Sequence, residues 1–248
     1  MADKDQIGLM RQGGKKLGTI RDQVVKSVKP GISLKQLDDL TESLIIKAGG
    51  EPGFQLVPGY KWATCVNVND GIVHGIPHKN IILKPKDIVS IDMGMYYQGF
   101  HTDTSITVSV SKPTSSQSHF LKAGKTSLDK AISQATAGNR IGHISRAMQQ
   151  AIEGAGYSCV RTLTGHGIGS QLHQPPAVPC VLVGNIAQTS KLASGMTLAI
   201  EVIYVQGKPI TKKTDDGWTI ATADGKLAAV FEETIAVTKS KPQILTRA

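Results

Sequence analysis

Four carboxylates stand in or beside short apolar, β-branched segments of the sequence: Asp92, Asp103, Glu201 and Glu232. A carboxylate inside an apolar strand is costly to bury without compensation, and several together raise one another's pKa values. Two divalent cations would balance the four negative charges, and a neutral imidazole such as that of His166 would leave this sum unchanged. The set is therefore typical of a two-metal hydrolytic centre. The alternative is that Asp92 and Asp103 are edge-strand or turn residues that face water.

Histidines and glycines form a second group of candidate residues. His166 lies within residues 165–169 (GHGIG), where the flanking glycines have no side chains and therefore leave its ring accessible. His173 follows in the same short segment, and His74 begins a similar segment at 74–77 (HGIP). These glycines lack the spacing of a dinucleotide fingerprint and no Gly-Lys-Ser/Thr follows them, so we do not expect a nucleotide-binding loop. We interpret the remaining four histidines as structural: His78, His101, His119 and His143.

Cys65 and Trp218 are candidates for the walls of a site. Cys65 could act as a nucleophile in principle, but no Cys-His-Asn framework accompanies it, so we interpret it as a small apolar wall residue. Trp218 lies in a turn that precedes a predicted strand, and either core packing or a pocket wall would account for it.

An internal repeat positions these residues. Residues 30–50 predict an amphipathic helix that begins with a capping box of Ser33 and Gln36 and stops at Gly49–Gly50. The same helical pattern returns 107 residues later. A further amphipathic stretch precedes each copy, at roughly 5–28 and 116–136. Strand-like runs follow in the same order in both copies, among them residues 88–92 and 197–201. This order pairs Asp92 with Glu201, Asp103 with Glu232, and His74 with His166.

The repeat predicts an α+β fold of two α/β halves related by a pseudo-twofold axis, each with helices followed by antiparallel strands. The halves run from roughly 5–110 and 116–240 within a single catalytic domain, 1–248, and the polar residues 109–118 connect them.

Composition narrows the class of protein. The chain has 248 residues, a net charge of +9 and 40% hydrophobic residues, which indicates a globular protein. We expect a cytoplasmic protein without a membrane partner, because we find no apolar run of about 18 residues, no signal peptide and only three widely spaced cysteines. We interpret the basic excess as a solvated surface; contact with RNA, the ribosome or an acidic membrane is the alternative.

Nine short motifs together resemble those of the type I methionine aminopeptidases of metallopeptidase family M24, over essentially the whole chain. They are residues 29–33 (KPGIS), 65–69 (CVNVN), 73–77 (VHGIP), 87–92 (DIVSID), 99–104 (GFHTDT), 165–169 (GHGIG), 200–201 (IE), 216–218 (DGW) and 231–232 (FE). The resemblance implies the pita-bread fold, with antiparallel sheet around a dinuclear metal centre. It implies a methionyl aminopeptidase that removes the N-terminal methionine from nascent proteins when the second residue is small.

The resemblance also implies roles for single residues. Five metal ligands are expected, with Asp103 and Glu232 bridging two divalent ions: Asp92, Asp103, His166, Glu201 and Glu232. Glu232 is chosen over Glu233 because the family pattern is aromatic-Glu-x-Thr, and Phe231 precedes Glu232. The expected catalytic residues are His74, His173 and Glu201, the last as proton shuttle. The expected substrate-binding residues are Tyr60, Cys65, His74, His173 and Trp218, with Tyr60, Cys65 and Trp218 forming walls of the methionine pocket.

Some pocket residues depart from the family pattern: Leu172 replaces an aromatic residue, Gln174 replaces an acid, and Phe54 and Val57 also differ. The mostly carboxylate ligands suit Mn²⁺ or Fe²⁺, and Co²⁺ commonly supports such enzymes in the test tube. A monomer is expected, with the nascent peptide as its partner and transient ribosome contact left open. The alternatives are a proline-directed peptidase of the same fold, and a non-catalytic relative that binds ribosomes or RNA. The first alternative is disfavoured because the first repeat begins by about residue 5, and the second because no ligand is lost.

Overall fold

Polar side chains fix the first turn of the helices. In the computed structural model, which describes residues 2–247, three of the four α-helices begin with a capping box, at Asp3–Gln6, Ser33–Gln36 and Thr114–Gln117. In each box the side chain of the first residue accepts a hydrogen bond from the backbone N–H of the glutamine, and the glutamine side chain accepts one from the backbone N–H of the first residue. The helices are α1 (Lys4–Ser27), α2 (Leu34–Lys47), α3 (Ser115–Ser133) and α4 (Ile141–Gly154). The predicted helices are therefore confirmed, although α3 begins inside the predicted connection because Thr114 caps it.

Over residues 2–247 the strands form one large sheet and one small sheet, and each pair of the strands named below is antiparallel. The strands are β1 (Glu51–Pro52), β2 (Thr64–Val68), β3 (Gly71–Val73), β4 (Ile88–Tyr97), β5 (Phe100–Ser109), β6 (Ser158–Cys159), β7 (Thr164–Gly167), β8 (Gln174–Pro179), β9 (Thr197–Val205), β10 (Thr211–Lys213), β11 (Ile220–Thr222), β12 (Ala228–Ala236) and β13 (Gln243–Ile244). Short 3₁₀ helices lie at Gly53–Leu56 and Ile186–Gln188.

The large sheet runs β1-β4-β5-β12-β9-β7-β8, with β2 on β4, β6 on β9 and β13 on β12. The small sheet runs β10-β11-β3. Because β5 and β12 lie at the centre with β4 and β9 outside them, the two halves of the sheet mirror each other in connectivity. This mixture of helices and antiparallel sheet confirms the predicted α+β, pita-bread class.

Each half contributes its own apolar core between helices and sheet. In the first half, Leu17 and Leu37 of the helices belong to one buried cluster with Ile91 of β4. In the second half, Phe120 and Met148 of the helices belong to another cluster with the strand residues of β9 and β12. Burying one such side chain stabilises the fold by about 1.5–3 kcal/mol. Within residues 2–247, no helix combines the length and apolar character needed to cross a membrane.

The register of the strands corrects two details of the predicted repeat. An axis that exchanges Asp103 with Glu232 passes through the Thr104–Glu233 pair, because these two residues are directly opposed in β5 and β12. The same axis exchanges Asp92 with Ala199 and Gly94 with Glu201. The predicted equivalence of Asp92 and Glu201 is therefore two residues out of register, although both point to the same face of the sheet.

The predicted equivalence of His74 with His166 is wrong. His166 lies on β7 opposite Ala199, and the position related to it by the axis is Cys65, which lies opposite Asp92. His74 follows β3, which belongs to the small sheet. The short sequences around the two histidines are therefore similar although the segments occupy non-equivalent positions in the fold.

Candidate metal centre

One row of side chains crosses five neighbouring strands of the large sheet. Directly opposed residues of antiparallel strands place their side chains on the same face. The row consists of Cys65 on β2, Asp92 on β4, Ser105 on β5, Glu232 on β12 and Glu201 on β9. Three carboxylates thus converge because of strand register, although they are distant in sequence.

Asp103 and His166, together with this row of side chains, form what we call the floor of the site. Asp103 precedes Ser105 by two residues on β5, so it points to the same face. His166 reaches in from β7: its Nε2 lies 3.9 Å from Asp103 Oδ2 and 4.0 Å from Glu232 Oε1. One donor atom from each of these three residues lies within 4.8 Å of the others, a spacing that could hold a metal ion. Asp92 and Glu201 do not join that three-residue group, but they line the same cavity.

The His166 ring is oriented by its own backbone. Its Nδ1 lies 3.0 Å from the Gly167 carbonyl oxygen. When Nδ1 donates its proton to that carbonyl, Nε2 keeps a free lone pair directed at the carboxylates, as a metal-binding histidine requires. Burial, and secondarily the neighbouring His173, lower the pKa of His166 to about 4, so the ring is neutral near pH 7.

Bound cations would stabilise the ionised carboxylates of the floor, which are close together and largely removed from water. Burial raises the pKa of Asp92 to about 7, with hydrogen bonding to Asp103 lowering it in part. Burial and then the neighbouring carboxylates raise the pKa of Asp103, Glu201 and Glu232 well above their ordinary values. Among the described residues, Oδ1 of Asp92 and Oδ1 of Asp103 have no hydrogen-bond partner although both are buried. Unpartnered carboxylate oxygens with one neutral imidazole fit divalent cations that accept oxygen and nitrogen ligands.

A cavity of about 370 Å³ opens above this floor. It is lined by all ten residues that sequence analysis selected: Tyr60, Cys65, His74, Asp92, Asp103, His166, His173, Glu201, Trp218 and Glu232. Of the four residues that depart from the family pattern, three line this cavity: Phe54, Val57 and Leu172. The fourth, Gln174, lines a neighbouring cavity. Sequence reasoning missed the lining segment Thr162–Thr164 and two residues of the sheet beneath the cavity. These are Ser105, which belongs to the row, and Thr234, which follows Glu232 by two residues on β12 and therefore points to the same face. Strand alternation from Asp103 was the signal that could have found Ser105.

Aromatic rings make the apolar wall rigid. The Tyr60 ring packs edge-to-face on Trp62 and on Trp218, with centroids 5.2 and 5.1 Å apart, and its hydroxyl donates to the Thr64 carbonyl at 2.8 Å. Cys65 is buried beside them, and burial, followed by the charge of Asp92, raises the pKa of its thiol well above the ordinary value. A thiol that stays protonated is a poor nucleophile, so the geometry favours the predicted wall role of Cys65.

The two other candidate histidines, His74 and His173, are more exposed to solvent than His166. The His173 ring is 4.4 Å from the His166 ring, in an edge-to-face arrangement. The loop before His173 is held by the Gly169 carbonyl, which accepts from the His101 backbone N–H at 2.7 Å. His74 has φ +57°, a left-handed backbone that is unusual for a residue with a side chain. Such strain often marks a functional position.

Comparison with known proteins gives a consistent result. The sequence profile of metallopeptidase family M24 matches residues 8–239. The methionine aminopeptidase of Clostridium perfringens is 39% identical over 246 residues, covering 99% of this chain and 98% of that protein. The crystal structure of a methionine aminopeptidase from Thermotoga maritima superimposes with a TM-score of 0.96 at 34% identity, covering 99% and 98% of the two chains. A prolidase from Pyrococcus furiosus shares the fold, with a TM-score of 0.78 at 18% identity; the match covers all of this chain and 65% of the prolidase.

Proposed function

The chain belongs to metallopeptidase family M24, and we propose that it is a metal-dependent aminopeptidase that removes the N-terminal methionine of nascent proteins when the second residue is small. The observation that carries this proposal is the convergence of four carboxylates, three of them buried, and His166 on the floor of a cavity with an apolar wall. The floor can hold divalent cations, and the wall can receive an unbranched thioether side chain.

Two divalent ions would be held by Asp92, Asp103, His166, Glu201 and Glu232, with Asp103 and Glu232 shared between them. The proximity of Asp103 and Glu232 to His166 supports this assignment. When bound, divalent ions supply Lewis acidity, which makes water nucleophilic near neutral pH. The oxygen-rich ligand set suits Mn²⁺ or Fe²⁺, and Co²⁺ is the third candidate.

The chain's own residues would bind and orient the substrate. Tyr60, Cys65 and Trp218 would hold the methionine side chain in the apolar end of the cavity. His74 and His173 would donate hydrogen bonds to the peptide bond that is cleaved, which stabilises negative charge as it develops on the carbonyl oxygen. Glu201 would accept and return the proton at its carboxylate, which lines the same cavity as the proposed substrate-binding residues.

We further propose that the protein acts in the cytoplasm as a monomer and meets its substrates near the ribosome. The support for ribosome contact is the net charge of +9, which understates the positive charge of the outer surface because four acids line the cavity of the site. Ribosome association that weakens as salt rises is the expected result. Association that is insensitive to salt would contradict the electrostatic explanation.

Methionine release from short peptides tests the proposed function. The purified protein with added Mn²⁺ or Co²⁺ should release methionine from Met-Ala-Ser and leave Ala-Pro intact. Chelation should abolish release and added metal should restore it. Asp103→Ala should lose both metal binding and cleavage, while the control Asp5→Ala, at an exposed position in the first turn of α1, should keep both. Turnover of Ala-Pro alone, or no turnover with any of Mn²⁺, Fe²⁺ or Co²⁺, would refute the proposal.

A further inference from the structure

Strand β12 forks beside Asp103. It pairs with β5 at Glu232 and Glu233, and from Ile235 onward with β13. Thr234 lies at the fork, where pairing with β5 has ended. Asp103 lies at the corresponding point of β5, so the carboxylate closest to His166 sits where the regular ladder stops.

A threonine hydroxyl replaces the missing main-chain pair. Thr234 Oγ1 accepts from the Asp103 backbone N–H at 2.9 Å and donates to the Asp103 carbonyl at 2.8 Å. Both residues are buried, Thr234 completely, so water cannot replace these bonds at low cost. On the β12 side, a single side chain therefore satisfies both main-chain groups of Asp103, while pairing with β4 holds the other edge of β5.

The C-terminal residues hold Thr234 in turn. The Thr234 backbone N–H donates to Thr246 Oγ1 at 3.0 Å, and the Thr234 carbonyl accepts from the Leu245 N–H at 2.8 Å. The Thr246 hydroxyl donates to the carboxylate of Glu233 on the opposite face of β12. Thr246 is completely buried, like Thr234.

A cluster of charged side chains around buried Glu233 supports this arrangement from the opposite face of β12. Glu233 accepts from Arg21 Nη1 at 3.2 Å and from Arg247 Nε at 3.0 Å. Arg21 Nη1 also donates to Thr104 Oγ1 at 2.8 Å, and the Thr104 hydroxyl donates to the Glu232 carbonyl at 2.9 Å. The same cluster therefore reaches the backbone of Glu232 from one side and the backbone of Asp103 from the other. Three members of this network, Arg21, Thr104 and Glu233, are buried, and hydrogen bonds among buried groups make such a network rigid.

We propose that Thr234 and Thr246 are positioning residues, which hold the Asp103 backbone at the separation from Glu232 that metal binding requires. The C-terminal segment, residues 245–247, is thereby part of the framework of the metal centre. This inference rests on the proposed metal binding of Asp103 and Glu232. It assigns to the fork a role in ion affinity that goes beyond holding the sheet together.

Calorimetric titration of the metal-free protein with Mn²⁺ tests the proposal. Wild type should bind Mn²⁺; absence of binding to wild type would overturn the proposed function itself. Thr234→Val keeps the shape of the side chain but removes the hydroxyl, and we expect its Mn²⁺ affinity to fall at least tenfold. Thr234→Ser, which restores the hydroxyl, should recover most of the affinity. Thr238→Val, which removes a hydroxyl beyond the fork that bonds only the local turn, should bind as wild type does.

The second position keeps the test decisive. Thr246→Val leaves both Thr234–Asp103 bonds in place but removes their support, so we expect a smaller loss of affinity, about threefold, and rescue in Thr246→Ser. Far-ultraviolet circular dichroism and thermal melting establish that each variant is folded. Wild-type Mn²⁺ affinity in folded Thr234→Val, or in folded Thr246→Val should Thr234→Val not fold, would overturn the proposal. Equal loss in the valine and serine variants would also overturn it, since the hydroxyl would then be irrelevant.

Discussion

Gly94→Ala should impair binding of the methionine side chain by displacing the Phe54 ring. Gly94 lies on β4 under that ring, and a Cβ added to it would lie 2.7 Å from Phe54 Cε1 and 2.9 Å from Cδ1. Carbon atoms pack at about 3.5–4.0 Å, so the ring must retreat by about 1 Å. Strand β4 cannot move instead, because β5 pairs with it along its whole length and β2 pairs with it from Val89 to Met93.

The displaced ring has one open direction. Phe54 is buried and lines the cavity above the carboxylate floor, so movement away from β4 takes it into that cavity. A displacement of this size removes room for about one methylene group, a misfit that costs about 1–3 kcal/mol in an apolar pocket. We therefore expect kcat/KM for Met-Ala-Ser to fall at least tenfold, mainly through KM. Overpacking should also lower the free energy of unfolding by about 1–3 kcal/mol.

Paired substrates and a matched glycine make this prediction specific. A peptide that begins with norvaline, whose side chain is one heavy atom shorter than that of methionine, should lose less kcat/KM than Met-Ala-Ser. Gly154→Ala, at the end of α4, is the control, because its added Cβ would meet nothing within 4 Å. Unchanged kcat/KM in folded Gly94→Ala would refute the reasoning. An equal loss for both peptides would show that the substitution disturbs the floor of the cavity and not its wall.

Two further substitutions test contacts around the site. Cys180 Sγ donates to the Glu201 carbonyl at 3.2 Å and accepts from the Ile203 N–H at 3.4 Å, in the gap on the edge of β9 between β7 and β6. Cys180→Ala leaves buried backbone groups unpaired, so it should lower the free energy of unfolding, measured in urea titrations, by about 1–3 kcal/mol. Cys180→Ser, which keeps a polar atom at this position, should lose less. Equal stability of the alanine variant and wild type would contradict this expectation. Burial alone would raise the pKa of Asp216, but hydrogen bonds from Thr219, Trp218 and Thr214 bring it down to about 2. Since this folded pKa lies below the ordinary 3.8, ionised Asp216 stabilises the fold above about pH 4, and this stabilisation is lost as the pH falls towards 2. The melting temperature of Asp216→Asn should therefore fall less between pH 4 and pH 2 than that of wild type. Parallel curves of melting temperature against pH would refute this expectation.

Local chemistry made the helices predictable from sequence. The Ser33–Gln36 capping box and the Gly49–Gly50 stop lie within a few residues of the helix that they bound, and α2 begins and ends where they indicate. Strand β4 was predicted only as far as Asp92, whereas it continues to Tyr97. Its second half is fixed by pairing with β5, and a distant partner strand leaves no signal in the local residue pattern.

Register is the information that a single sequence lacks. The candidate ligands could be chosen because carboxylates in apolar runs are anomalous wherever they occur. Ser105 and Thr234 could not be chosen in this way, since a hydroxyl in a β-branched segment is ordinary. Their importance comes from their neighbours: Ser105 is opposed on both sides, by Asp92 and by Glu232, and Thr234 occupies the fork beside Asp103.

The broken symmetry of the floor predicts two unequal metal sites. The axis that exchanges Asp103 with Glu232 exchanges Asp92 with Ala199, Gly94 with Glu201, and Cys65 with His166. Beyond the shared pair, one half therefore supplies a single carboxylate, and the other half supplies a carboxylate and an imidazole. Two ions bound here would have different ligand sets, so calorimetric titration with Mn²⁺ should resolve two steps of different affinity. His166→Ala should weaken one step strongly and the other little. A single transition with two equal sites in wild type, or equal weakening of both steps in His166→Ala, would show that the symmetry of the repeat extends to the chemistry of its floor.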